Sequence, residues 1–383
     1  MRLHTLPVFL VFLVMGIADA MGPMADGVRS QYHLSQAAAT LLTFSVFIAF
    51  AVFSVPGGLL AARIGRKRLL VLGLTLNAAA ILVPTLALPS FGVLLACIFV
   101  LGVGTTFLQV AGNPIMRDVS PAGTYPRNLA LAQGIKGLGS SSSAYLVGLV
   151  AILPVFSALG WRGAFPVFFV LMILALGLMA GLKVEESQAE VPPSLDSSLA
   201  LLKERAFLFA VLGIFLYVGA EVCMARFLKP TLAGFGLAED RAALLGPTLF
   251  FGTLTFGRLV AGLLPFSARA SFRLSALLGL AGVLCLMAGT RALSLTGVVL
   301  GGLGFANIWP MLFALTVEQR PERASELSGL MCMAISGGAL VPLLMGRLSD
   351  EGFRHLAYVV PVACFLFLTL LSFRPTAAPA AEA

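Results

Sequence analysis

The sequence predicts an all-α integral membrane protein of twelve transmembrane helices in two six-helix bundles. Three observations predict it: a high apolar content, a division into twelve apolar runs, and one polar segment with six runs on either side. Of the 383 residues, 59% are hydrophobic and 11% charged. Soluble globular chains average roughly 45–50% apolar and about 25% charged residues. A soluble fold of this length could not keep so much apolar surface from water, whereas a bilayer accepts it.

A spanning helix needs roughly 20 mostly apolar residues. The runs fall at residues 5–29, 36–62, 67–88, 90–116, 126–153, 160–182, 206–232, 241–265, 271–289, 292–317, 324–349 and 354–374. The first opens like a signal peptide, MRLHTLPVFLVFLV, but no convincing small-residue cleavage site follows. It is expected to remain as a span. Runs nine and ten are parted only by Thr290 and Arg291. The polar segment at 183–205, KVEESQAEVPPSLDSSLALLKER, carries eight of the chain's forty-two charges and two prolines. It reads as a cytoplasmic linker between an N-terminal bundle, 1–182, and a C-terminal bundle, 206–374. Residues 375–383 read as a disordered tail. Two bundles of this kind, with a binding site between them, form a recurrent carrier architecture.

Lysine and arginine placement orients the runs. With the N-terminus inside, sixteen basic residues fall on that side, among them Arg63, Arg66, Lys67, Arg68, Arg117, Arg127 and Arg258. Eight fall outside, and Lys136 is left within a run. Both termini are therefore expected in the cytoplasm of a cell whose inner membrane holds the protein. The net charge of +8 is scattered through short loops and makes no stripe interleaved with aromatics, so no nucleic-acid partner is expected. Cys97, Cys223, Cys285, Cys332 and Cys364 are an odd number and form no CxxC pair. They read as small buried hydrophobes, with neither a disulfide framework nor a metal site.

Between runs two and three the chain reads GGLLAARIGRKRLL. In it, Gly58 suits close helix approach, Gly65 a tight turn, and Arg63, Arg66 and Lys67 a helix C-terminus or anionic headgroups. This pattern resembles the cytoplasmic loop motif of the major facilitator superfamily. GNPIMRDVSP at 112–121, RNLALAQGIKGLGS at 127–140, FLYVGAEV at 215–222 and GRLSDEGFRHLAYVVPVACF at 346–365 resemble its fucose–galactose–glucose:proton symporter (fucose permease-like) branch. The resemblance spans the chain. It implies the major facilitator fold and sugar:proton symport, with the sugar contacted at Gln109, Gln133 and Lys136. The chain departs from the branch at several places. The motif's usual Asp is Ala62, a Glu of the fourth helix is Gln109, an Asn of the fifth is Lys136, and an Asn-Asp pair of the first is Gly22-Pro23.

Charges at mid-membrane are costly and rare, so each carries a functional expectation. Lys136, in AQGIKGLGSSSS, would contact substrate or make an ion pair. Glu221, in YVGAEVCMARF, and Asp19, beside Gly22 and Pro23, are the candidate proton carriers; burial raises a carboxyl pKa toward working pH. The alternative for Glu221 is a fixed partner for Lys136 or Arg226. Arg226 is a candidate substrate residue at the outer mouth or a snorkelling side chain. Asn307 and Trp309, beside Pro310, suit a sugar's hydroxyls and its apolar face.

The expected function is secondary transport by alternating access, with solute held between Gln109, Gln133 and Lys136 on one half and Glu221, Asn307 and Trp309 on the other. Lys136 leaves open a sugar acid or other organic anion, and import or export are both open. No HExxH, GxSxG or P-loop occurs, and His4, His33 and His355 lie at run ends or in loops, so no enzyme is expected. A solute sensor is a remote alternative, since only PTAAPAAEA follows Arg374. No cofactor is expected. The expected partners are a small-molecule substrate, protons and the bilayer, for a monomer.

Overall fold

The computed structural model describes residues 5–154, 156–186, 193–350 and 355–374. The side chains of 19–23, 25, 26, 36, 37, 40, 144, 151, 152 and 157 lie outside the description. So do the tail at 375–383 and the middle of the linker, 187–192. All regular structure among the described residues is helical. The rods, in order, are α1 (Leu6–Ala18), α2 (Gln36–Ile64), α3 (Arg66–Leu86), α4 (Phe91–Asp118), α5 (Tyr125–Ile152) and α6 (Ala158–Gly181). After the linker come α7 (Arg205–Ala233), α8 (Glu239–Leu263), α9 (Ala268–Met287), α10 (Arg291–Val317), α11 (Pro321–Asp350) and α12 (Leu356–Phe373). Among the described residues, ten are long and apolar enough to cross a membrane. The other two are α1, which is shorter, and the serine-rich α5, which is 28 residues long. A one-turn 3-10 segment, Gly16–Ala20, carries α1 into a further helix, Met21–Gln31.

Helix starts follow local chemistry. Hydroxyls of Ser35, Ser90, Ser267 and Thr290 accept the backbone N–H three residues on, at 3.2, 3.4, 3.2 and 3.4 Å. Each satisfies one donor that a helix N-terminus leaves unpaired. The narrow gap between runs nine and ten is thus a real break: Gly289, at φ 71°, turns the chain and Thr290 caps α10.

Two compact units divide the chain. One comprises Met1–Pro121, Ile135–Leu195 and Glu322–Met333, and the other Ala122–Gly134, Asp196–Pro321 and Ala334–Ala383. In the first unit, backbones meet where side chains are smallest. A Cβ on Gly58 of α2 would lie 2.6 Å from the Ser325 carbonyl of α11, and one on Gly329 2.9 Å from the Ser54 carbonyl of α2. Such small-residue contacts are how helices associate in lipid, where no hydrophobic force drives them together. The second unit does the same between α9 and α10, where a Cβ on Gly297 would lie 2.7 Å from the Gly282 carbonyl.

Among the interrupted rods are α10 and α11. The α10 rod stops at Ala306, passes through Asn307 (φ −108°, ψ 5°) and restarts at Ile308. The α11 rod has a 3-10 turn, Ala334–Ser336, between Ala324–Met333 and Gly337–Asp350.

Candidate substrate and proton site

In the second unit the site grows from the break in α10. Pro310 has no N–H, so the carbonyl of Ala306, four residues earlier, has no intrahelical donor. Arg258 of α8 supplies one, its Nε donating to Ala306 O at 3.0 Å. The same guanidinium donates through Nη2 to Tyr217 Oη at 3.0 Å and lies 4.0 Å from Glu221 Oε1. Tyr217 and Glu221 are one helical turn apart on α7, and so share a face. Their partner crosses to them from α8. The Arg258 and Glu221 side chains are 9% and 20% exposed. Next to this group Asn307 donates to the Gly257 carbonyl at 3.4 Å. Its Oδ1 and the indole Nε1 of Trp309 are buried with no hydrogen-bond partner among the described residues. Buried polar atoms are normally paired, and these two are exceptions among the described residues. Trp309 stacks on Phe313 at 6.1 Å between centroids.

In the first unit Lys136 of α5 donates to Gln109 Oε1 of α4 at 3.4 Å. Gln109 is fully buried and Lys136 half-buried. Gln133, one turn before Lys136 on α5, falls in the second unit and is also buried. The backbone there is crowded: a Cβ on Gly16 would lie 2.7 Å from the Lys136 carbonyl.

The loop motif is built into a network in the same unit. Gly65 turns at φ 95°. Arg66, 2% exposed, pairs with Asp118 at the end of α4 and donates through Nε to Ser325 Oγ at 3.1 Å. The Glu186 carboxylate caps α3, accepting the N–H groups of Arg66 and Lys67 at 2.5 and 2.9 Å. Lys67 Nζ donates to the Ala180 carbonyl at 2.8 Å, and Arg63 is exposed. Asp118 thus carries the acidic role that Ala62 cannot. Arg323 holds Glu326 bidentately at 2.9 and 2.5 Å nearby in the chain.

The expected residues are therefore distributed as follows. Gln109 meets Lys136, while Asn307 adjoins the Glu221 group through Gly257 and Arg258. Glu221 takes Arg258 as its cation, whereas Arg226 is exposed. Asp19 falls in the 3-10 turn Gly16–Ala20, and its side chain lies outside the described residues. One assignment is corrected. Counting charges placed Arg258 in an inside loop, but it is buried within α8. The signal was present, since Arg258 lies seven residues inside the end of its own apolar run, about 10 Å of helix. Tyr217 and Asp118 gave no such signal, because their roles come from partners on other helices.

A rod set of this kind, with polar groups facing helix breaks inside an apolar body, defines a polytopic membrane carrier. The model of the Major Facilitator Superfamily matches residues 8–265, and the chain belongs to that superfamily. Its relatives include the glucose/galactose transporter of Brucella abortus, 28% identical over 94% of this chain and 90% of that one. The L-fucose-proton symporter of Haemophilus influenzae is 23% identical over 95% of this chain and 94% of its own. The solved Escherichia coli fucose:proton symporter shares the fold with a TM-score of 0.84 at 20% identity, covering 97% of this chain and 98% of that chain.

Proposed function

We propose that this protein is a proton-coupled sugar carrier of a bacterial inner membrane, acting as a monomer by alternating access with both termini cytoplasmic. Residues 1–182 and 206–374 form its two six-helix bundles, joined by the cytoplasmic linker at 183–205. The names of its relatives support sugar as the solute and protons as the driving ion.

The observation that carries the reading is Glu221. It is a partly exposed carboxylate inside an apolar rod, 4.0 Å from a buried arginine. Ionised, it pairs with Arg258. Protonated, it loses that ion pair while Arg258 keeps its bonds to Tyr217 and the Ala306 carbonyl, so one proton weakens the polar link between α7 and α8. Asn307 Oδ1 and Trp309 Nε1 meet solute hydroxyls. Asp19 is the second proton-site candidate.

Proteoliposomes loaded with a pH-sensitive dye test this. Galactose added outside acidifies the lumen, and Glu221→Gln abolishes the acidification while leaving galactose exchange. Galactose entry with no acidification in the wild type refutes proton coupling. A Glu221→Gln protein that acidifies as the wild type does excludes Glu221 as the carrier.

A further inference from the structure

We infer that the preferred solute carries a carboxylate, as a hexuronate or an aldonate does, and that Lys136 binds it. This inference rests on the sugar-carrier reading and narrows its substrate class.

Lys136 lies eleven residues after the start of α5 and sixteen before its end, about 16 and 24 Å along the helix. That places it near mid-span, where an ammonium without a counter-ion is costly. Its hydrogen bond goes to the neutral Gln109 Oε1, at 3.4 Å, beyond the usual range for N–H···O. Within its unit no described carboxylate lies within ion-pair distance of it. Asp118 is held by Arg66, Glu326 by Arg323, and Glu186 by the backbone at the start of α3.

The buried cation of the other unit is a contrast. Arg258 has a carboxylate, a phenol and a freed carbonyl arranged around it. Arg258 is furnished as a structural cation, whereas among the described residues the hydrogen-bond acceptor of Lys136 is an amide. Half-burial leaves part of the Lys136 side chain accessible. A buried charge without a partner is the feature that a charged ligand completes. Gln109 at its side offers an amide for a hydroxyl that a sugar acid carries next to its carboxylate.

Uptake of labelled galactose and galacturonate into wild-type proteoliposomes, each competed by the other, is the test. Galacturonate is expected to compete about tenfold or more better than galactose, the scale of one charge-assisted hydrogen bond. Lys136→Asn loses that preference and Lys136→Arg keeps it. If galactose enters and galacturonate does not compete, the carboxylate inference is overturned and the sugar-carrier reading stands. The same holds if Lys136→Asn folds and keeps the preference. If neither solute enters, the sugar-carrier reading falls, and this inference with it. Should Lys136→Asn fail to fold, the wild-type competition ratio decides alone.

Discussion

Arg258 Nε and the Ala306 carbonyl are joined at 3.0 Å because Pro310 leaves that carbonyl without a helical donor. The guanidinium is then fixed at one edge, with its Nη2 turned to Tyr217 and Glu221. A sequence defect in α10 therefore sets the position of a charge on α8.

Removing the guanidinium in Arg258→Ala strands a carboxylate and a buried carbonyl together. Breaking a buried pair from one side destabilises by about 3–5 kcal/mol. Glu221 is 20% exposed, so the lower end is expected. Pro310→Ala offers Ala306 a backbone N–H. The double variant Arg258→Ala/Pro310→Ala should unfold at a higher temperature in detergent than the sum of the single variants implies. Strict additivity would separate the α10 break from the position of Arg258.

Arg66 and Asp118 make a second cycle. Their side chains are 3% and 2% exposed, so this pair is buried on both sides. Arg66→Ala leaves an uncompensated carboxylate and is expected to cost about 3–5 kcal/mol. Asp118→Asn in the same chain removes that charge and should recover much of the loss. Thermal unfolding of the four proteins in detergent measures it, and no recovery would mean that Asp118 is not the partner that matters.

The places of most rods were legible because bilayer thickness is a local constraint. Thr290 shows it, since a two-residue gap in hydropathy became a turn and a cap. The first run, read as one span over 5–29, is instead a short rod, Leu6–Ala18, followed by a further helix. Arg258 was misassigned because charge counting sorts a cation by its nearer end and cannot see a freed carbonyl on another rod. Tyr217 looked like one more aromatic of an apolar run. Asn307, Trp309 and Pro310 were legible as a polar cluster within one run, but the break at Asn307 was not, because the apolar pattern continues across it. The Gly58 motif was legible as a helix contact, but the contacting segment, Ser325 to Gly329, lies far away in sequence and no spacing rule names it.

Gly58 gives a third prediction. A Cβ there would lie 2.6 Å from the Ser325 carbonyl and 3.1 Å from Gly329 Cα. Both are backbone, so neither can turn aside. Gly58→Val should destabilise by roughly 1–3 kcal/mol, the usual scale of overpacking. Gly92, with nothing within 4 Å of its own Cβ position, is the control. Equal melting temperatures for Gly58→Val and Gly92→Ala would exclude close packing at Gly58.

The carboxylate inference also predicts an electrical signature. A neutral sugar moving inward with one proton carries net charge +1, and an inside-negative potential drives it at about 2.3 kcal/mol per 100 mV. A sugar acid moving with one proton carries none. Galacturonate uptake should therefore respond to an imposed pH gradient and be indifferent to a potassium–valinomycin potential, whereas galactose uptake should respond to both. Whatever galactose uptake Lys136→Asn retains should still respond to both gradients, because the proposed proton carrier is Glu221. Potential-driven galacturonate uptake would mean that more than one proton accompanies each anion, and the single-carboxylate cycle built on Glu221 would have to be abandoned.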